Sequence, residues 1–330
     1  MVHTLSSPLS NEMSGAFLGD KRLNERLEFI VDSLSARPSV GFPEVFDSDA
    51  KLEATYRFLN NDRVTPQLIL APHLQATLER ARDQGSVLVV HDSTAFVFTG
   101  EADREGLQRM SRTKQAIWGH FALCVGRDSG EPLGVAGVHT YINPVSKSKQ
   151  SSAERKMVTQ REPSKWWRLV EEVEERCGKQ VQNIHVMDRE ADSYELFGRM
   201  HQKQYRYVVR LYCNRKLVSD NGEQETEKLF ETLGRTGVVV EREVPISRRA
   251  KANGVRTQKY YPVRESRVAR LCFSAAQLNV ARPATGRSHL PKQLALNLVL
   301  VKEINGPEGL EPVEWKIATS EPIDTVDQIT

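Results

Sequence analysis

The stretch Asn183-Ile184-His185-Val186-Met187-Asp188-Arg189-Glu190-Ala191-Asp192-Ser193-Tyr194 decides how this chain reads. Ile184, Val186 and Met187 form an apolar run typical of a buried strand, and the run stops at a carboxylate. Tyr194, Phe197 and Met200 then recur at helical spacing. An acid at the carboxyl end of a central strand faces the crevice in which open α/β sheets place ligands. The pattern occurs earlier too, where Val87–Val90 delivers His91-Asp92-Ser93-Thr94. Two strand-end aspartates, Asp92 and Asp188, suggest one shared metal site. The plainer role of Asp188 is a helix N-cap. Strand alternation turns His91 and His185 away from the acids, so both read as core histidines.

Working outward, the 330 residues suggest about two domains. A hydrophobic fraction of 39% and a charged fraction of 27% suit a globular chain with a real core. No apolar run approaches the ~20 residues of a membrane span, and the N-terminus lacks the apolar core of a signal peptide. The chain therefore reads as cytoplasmic, with no membrane partner. Cys124, Cys177, Cys213 and Cys272 are far apart and lack paired spacing, which argues against a zinc site or a disulfide framework. A net charge of +3 does not by itself identify a polyanionic partner.

Residues 1–85 read as helical. Leu23, Leu27, Ile30 and Leu34 share a stripe. Pro38 and Pro43 bracket a turn, and Asp49 caps a second helix carrying Leu52, Tyr56 and Leu59. Thr65-Pro66 opens a third, which Pro72 kinks or restarts and Gly85 ends. Lys21, Arg22, Arg26, Lys51, Arg57 and Arg63 could contact phosphates. Interleaved glutamates equally allow a solvated mixed-sign surface.

From Gly85 the pattern becomes strand-like. Ile117–Val125 and Leu133–Tyr141 form a hairpin, with a mobile basic loop from Gln108 to Lys114 before it. A second loop, Ser146–Arg161, reads as partly disordered. An amphipathic helix follows from Ser164 to Cys177, then the strand ending at Asp188, a short helix, and a fifth strand over Tyr205–Arg210. The order of three strands, helix, strand, helix, strand resembles that of the ribonuclease-H-like fold.

Residues 211–314 break that succession. Val238–Val240, Ala269–Phe273 and Leu294–Ile304 look like strands. Arg248, Arg249, Lys251, Arg256, Lys259, Arg264, Arg267 and Arg270 face the single acid Glu265 in their own stretch. Such dense like charge repels itself unless a polyanion neutralises it, which favours a phosphate-tracking surface over a solvated β-loop. Trp315–Ser320 is strand-like again, and Glu321-Pro322 opens a helix with Ile323, Val326 and Ile329 on one face.

Asp92 in His-Asp-Ser-Thr, the run Asp188-Arg189-Glu190-Ala191-Asp192, and Trp315-x-x-x-Thr319-Ser320-Glu321-Pro322 together resemble the DDE transposases of bacterial cut-and-paste insertion elements. The likeness is to the transposon-five-like branch. Gly19-Asp20-Lys21-Arg22-Leu23 and Ala54–Leu59 resemble that branch's DNA-binding domain.

The resemblance implies an α/β fold with four segments: a helical transposon-end-binding domain (1–85), a ribonuclease-H-like catalytic core (86–210), a β-rich basic insertion (211–314), and a return to the core (315–330). It implies Asp92 and Asp188 as ligands for Mg²⁺, with Mn²⁺ as substitute. It also implies Arg210 on DNA phosphate and Trp315 beside a flipped base. The plainer reading of Trp315 is core packing of a strand, and Asp192 reads as a cap and not a ligand. Double-stranded DNA is the implied partner, with a homodimer in the full-length form. The family's third carboxylate lies in a Y-x-x-R-x-x-x-E pattern that neither Glu321 nor Asp324 matches. The sequence thus suggests a C-terminally truncated transposase that binds without cutting. The alternatives are a DNA-binding remnant or inhibitor of the full-length enzyme and, more distantly, a ribonuclease-H-like nuclease.

Overall fold

A computed structural model describes residues 9–142, 162–219, 221, 224–251, 263–284, 288–309 and 312–330. The fold is mixed α/β, with helices and a twelve-stranded sheet among the described residues. By internal contacts the chain divides into two units. The first is Met1–Val89, Phe121–Val138 and Glu172–Gln182; the second is Val90–His120, His139–Glu171 and Asn183–Thr330.

The first unit holds α1 (Lys21–Ala36), α2 (Phe42–Val45), α3 (Asp49–Leu59) and α4 (Pro66–Gln84). Leu27, Ile30, Phe46 and Phe58 form their core, with Leu23, Leu34 and Leu52 at its margin. Ser48, one residue before the expected Asp49, caps α3 by accepting from the Lys51 N–H. Tyr56 and Leu59 are exposed and Thr55 and Phe58 are buried, so the apolar stripe of α3 is rotated from the expected one. Thr65 caps α4 as expected. Pro72 neither restarts nor ends α4, because removing one interior hydrogen bond leaves the rest of a nineteen-residue helix intact. Gly85 at φ 70° closes it. Glu12 accepts from Arg80 and pairs with His73 at 2.8 Å, which fixes the preceding 3₁₀ turn (Leu9–Met13) on α4.

The strands are β1 (Ser86–Thr99), β2 (Gln108–Ser111), β3 (Lys114–Gly126), β4 (Pro132–Tyr141), β5 (Gln182–Met187) and β6 (Arg206–Arg210). After these come β7 (Lys216–Val218), β8 (Gln224–Lys228), β9 (Val238–Ile246), β10 (Arg267–Ala281), β11 (Gln293–Ile304) and β12 (Glu314–Thr319). The helices between and after them are α5 (Glu162–Cys177), α6 (Tyr194–Lys203), α7 (Leu229–Gly234) and α8 (Val326–Ile329). The order is β2-β3-β1-β5-β6-β12-β11-β10-β7-β8, with β4 on β3 and β9 on β10. β5 and β6 pair in parallel across α6.

Four expectations need correction. β1 continues far beyond Val90, because Thr94, Phe96, Val97, Phe98 and Thr99 keep a β-branched and aromatic run going. The expected mobile loop at Gln108–Lys114 is largely β2, paired antiparallel to β3. Strands from 211–314 lengthen the sheet that contains β5 and β6 rather than breaking from it. The last helix begins at Val326, not Pro322, because Thr325 and Gln328 form a capping box. Ile329 and Ile323 join the local core, and Val326 is exposed. The loop Ser146–Arg161 lies outside the described residues.

Candidate functional site

The parallel register sets Met187 beside Val209, so Asp188 and Arg210 follow at the same level of neighbouring strands. On the other side of β6, Ile317 pairs with Arg210 and the Leu211 N–H donates to the Lys316 carbonyl at 2.7 Å. Asp188, Arg210 and Trp315 therefore reach one end of three adjacent strands. Trp315 is half-buried and packs against the cluster of Ile246, Val299 and Val301, which realises its packing role.

Asp188 is exposed directly after β5, as its sequence position suggested. Its carboxylate accepts from the Glu190 N–H at 2.9 Å and caps a 3₁₀ turn over Arg189–Ala191, so the N-cap role is real. Asp92 lies within β1 and not at its end. It is exposed, and its Oδ1 accepts from the Ser93 N–H at 2.8 Å. β1 and β5 are neighbours in the sheet. His91 Nε2 lies 2.9 Å from His185 Nδ1, which ties the two acid-bearing strands together, and both rings are buried as alternation required. Ser93 Oγ lies 2.7 Å from His120 Nδ1, and the His120 ring stands edge-on to Trp166 at 4.3 Å. Burial pushes His120 down to about 3, helped by the positive charges of Lys165 and His139.

Asp192 is not the cap of α6 that was expected. Ser193 caps α6, accepting from the Leu196 N–H at 3.1 Å. Asp192 is buried; its Oδ2 accepts from the N–H groups of Tyr212 and Cys213, both at 2.6 Å, and it pairs with buried Arg215. The aspartate that ends the quoted motif is thus the anchor of the chain after β6. Sequence reading missed this because its partners are backbone amides about twenty positions away.

Of the expected phosphate contacts of the helical unit, Lys21, Arg22, Arg57 and Arg63 are exposed, and Arg26 and Lys51 are half-buried. Lys21 pairs with Glu25, Arg22 with Asp20, Lys51 with Asp47 and Arg57 with Glu53. Arg26 lies over the Phe29 ring. Solvent-screened pairs of this kind contribute little, so a phosphate can displace the acid. The basic stretch 248–270 is less unbalanced than its sequence. Arg267 forms a double hydrogen bond with nearly buried Glu303, and Arg270 donates to Glu241 at 2.8 Å. Arg248 lies 3.7 Å from Glu265. The sheet brings Glu241 and Glu303 from β9 and β11, which a local charge count could not see. Lys251 is exposed and Arg249 bridges to Arg264; Arg256 and Lys259 lie outside the described residues.

For a divalent ion, Asp92 and Asp188 fit in donor type and exposure, on neighbouring strands. Among the described residues no group of three His, Cys, Asp or Glu side chains is placed to hold one. Glu321 is committed to Arg206, which donates from Nε at 2.9 Å, and that carboxylate holds the guanidinium more firmly protonated. No described helix is long and apolar enough to cross a membrane.

Residues 6–64 match the transposase DNA-binding family model. The match falls on the helical unit that carries Lys21, Arg22, Arg26 and Arg57, and it supports a transposase that binds DNA. A solved structure, the cryo-EM piggyBac transposase synaptic complex with hairpin DNA, aligns with TM-score 0.36 and 10% identity, covering 93% of this chain and 53% of that chain. This chain spans about half the length of that transposase.

Proposed function

We propose that the chain is the end-binding and metal-binding part of a cut-and-paste transposase of the DDE type, built on a ribonuclease-H-like core. The observation that carries this reading is the match of residues 6–64 to transposase DNA-binding domains. Further support comes from β1, the β3–β4 hairpin, α5, β5, α6 and β6 in succession, with β1 between β3 and β5. Asp92 and Asp188 would hold Mg²⁺ or Mn²⁺. Such an ion, when bound, stabilises charge on the attacking and leaving oxygens of a phosphodiester. Arg210, level with Asp188, supplies a guanidinium for the phosphate. The helical unit gives sequence preference, and Arg248, Arg249 and Lys251 add a non-specific phosphate contact. A full-length form would pair as a homodimer on two transposon ends and a target duplex.

A second reading, DNA binding without cutting, is favoured by the Arg206–Glu321 pair. It commits Glu321, the acid just after β12, to a guanidinium and not to a metal. On either reading the chain binds duplex DNA with a steep salt dependence. Fluorescence anisotropy across a salt series should show that Lys21→Gln lowers the slope of log K against log salt by ~1. Neutralising Arg248, Arg249 and Lys251 together should lower the slope and leave sequence preference intact. Duplex affinity that is absent, or independent of salt, would sink the reading.

A further inference from the structure

Tyr212 is 70% exposed, an unusual position for a large ring two residues past a sheet strand. Its backbone is nevertheless held firmly. Asp192 accepts from the Tyr212 and Cys213 amides, and the Asp192–Arg215 pair is almost wholly buried. The Arg215 guanidinium in turn lies 5.3 Å over the Phe197 ring of α6, so the anchor reaches the hydrophobic core. The guanidinium of Arg189 lies 5.9 Å from the Tyr212 ring centroid. Arg189 follows Asp188 directly, and Tyr212 lies two residues beyond Arg210. A rigidly carried, solvent-facing ring with a cation against it therefore stands beside Asp188.

We propose that Tyr212 and Arg189 form a stacking platform for an unpaired nucleobase beside Asp188. The inference rests on the reading of the chain as a DNA-binding transposase. Every base has a π-face, and stacking on an aromatic or a guanidinium plane is tolerant of sequence. Bases inside a duplex are already stacked on each other, so the platform takes one that is unpaired or extruded.

The test uses the whole 330-residue chain and three fluorescent probes: a duplex, a single strand of about twelve nucleotides, and an abasic strand of the same length and charge. Wild type should bind the base-bearing strand about tenfold tighter than the abasic one. Tyr212→Ala should abolish that ratio, Tyr212→Trp should keep it, and the salt slope should be the same in all three. The exposed ring makes few packing contacts, so thermal melting of the alanine variant should match wild type. If Tyr212→Ala keeps both duplex affinity and the full ratio, or wild type binds both strands equally while binding duplex, the platform is wrong. If no probe binds, the DNA-binding reading fails and the platform fails with it.

Discussion

Replacing Asp192 with alanine is expected to lower the stability of the unit that contains it by about 3–5 kcal/mol, the usual cost of removing one partner of a buried ion pair. The loss has two parts. Arg215 would keep a buried guanidinium without its carboxylate, and the amides of Tyr212 and Cys213 would lose their shared acceptor. Asp192→Asn retains an oxygen for the amides and loses only the charge, so it should fall between wild type and alanine. Urea unfolding followed by the fluorescence of Trp166 and Trp167, which share that unit's core, gives the comparison at constant m. An alanine variant within about 0.5 kcal/mol of wild type would show that Asp192 is not the anchor.

Acidification should destabilise the same unit well above the range in which ordinary carboxylates titrate. His120 titrates near 6.5 in the unfolded chain, whereas burial holds it neutral in the fold down to about 3. Burial also lowers His201, which hydrogen-bonds the Tyr207 hydroxyl. A lowered histidine value means the unfolded chain binds the proton first. Its contribution is thus complete above pH 6.5 and falls as pH drops towards the folded value. Each such histidine should contribute a slope of up to roughly 1.4 kcal/mol per pH unit. The window from pH 6.5 to 5 separates this effect from Glu12 and Glu303, whose lowered values matter only at lower pH. In that window His120→Gln should flatten the dependence, read from the Trp166 fluorescence that its ring contacts. An unchanged slope in the variant would mean that His120 is protonated in the fold.

The sequence carried the parts of this architecture that local chemistry dictates. The Leu27 and Ile30 stripe, the Thr65-Pro66 start of α4, its Gly85 end and the inward-facing His91 and His185 all follow from periodicity and capping. The quoted stretch placed Asp188 after β5, and the register then set Arg210 beside it. Features made by distant partners stayed hidden. Neither the grip of Asp192 on the Tyr212 and Cys213 amides nor the neutralisation of Arg267 by Glu303 has a local signature. Asp92 looked strand-terminal because polar His-Asp-Ser-Thr resembles a strand end, yet the aromatic run after it keeps β1 going. Capping by Ser48 and Ser193 went to aspartate neighbours by one residue, since both residue types cap well.

The central claim is that Asp92 on β1 and Asp188 after β5 share one divalent cation, and calorimetric titration with Mn²⁺ tests it most directly. Wild type should release or take up heat with a weak saturable site, since two carboxylates form an incomplete oxygen shell. Asp92→Ala and Asp188→Ala should each abolish that heat, and the double variant should show nothing further. Equal heats in wild type and Asp188→Ala, or loss in one single variant with retention in the other, would contradict a shared site.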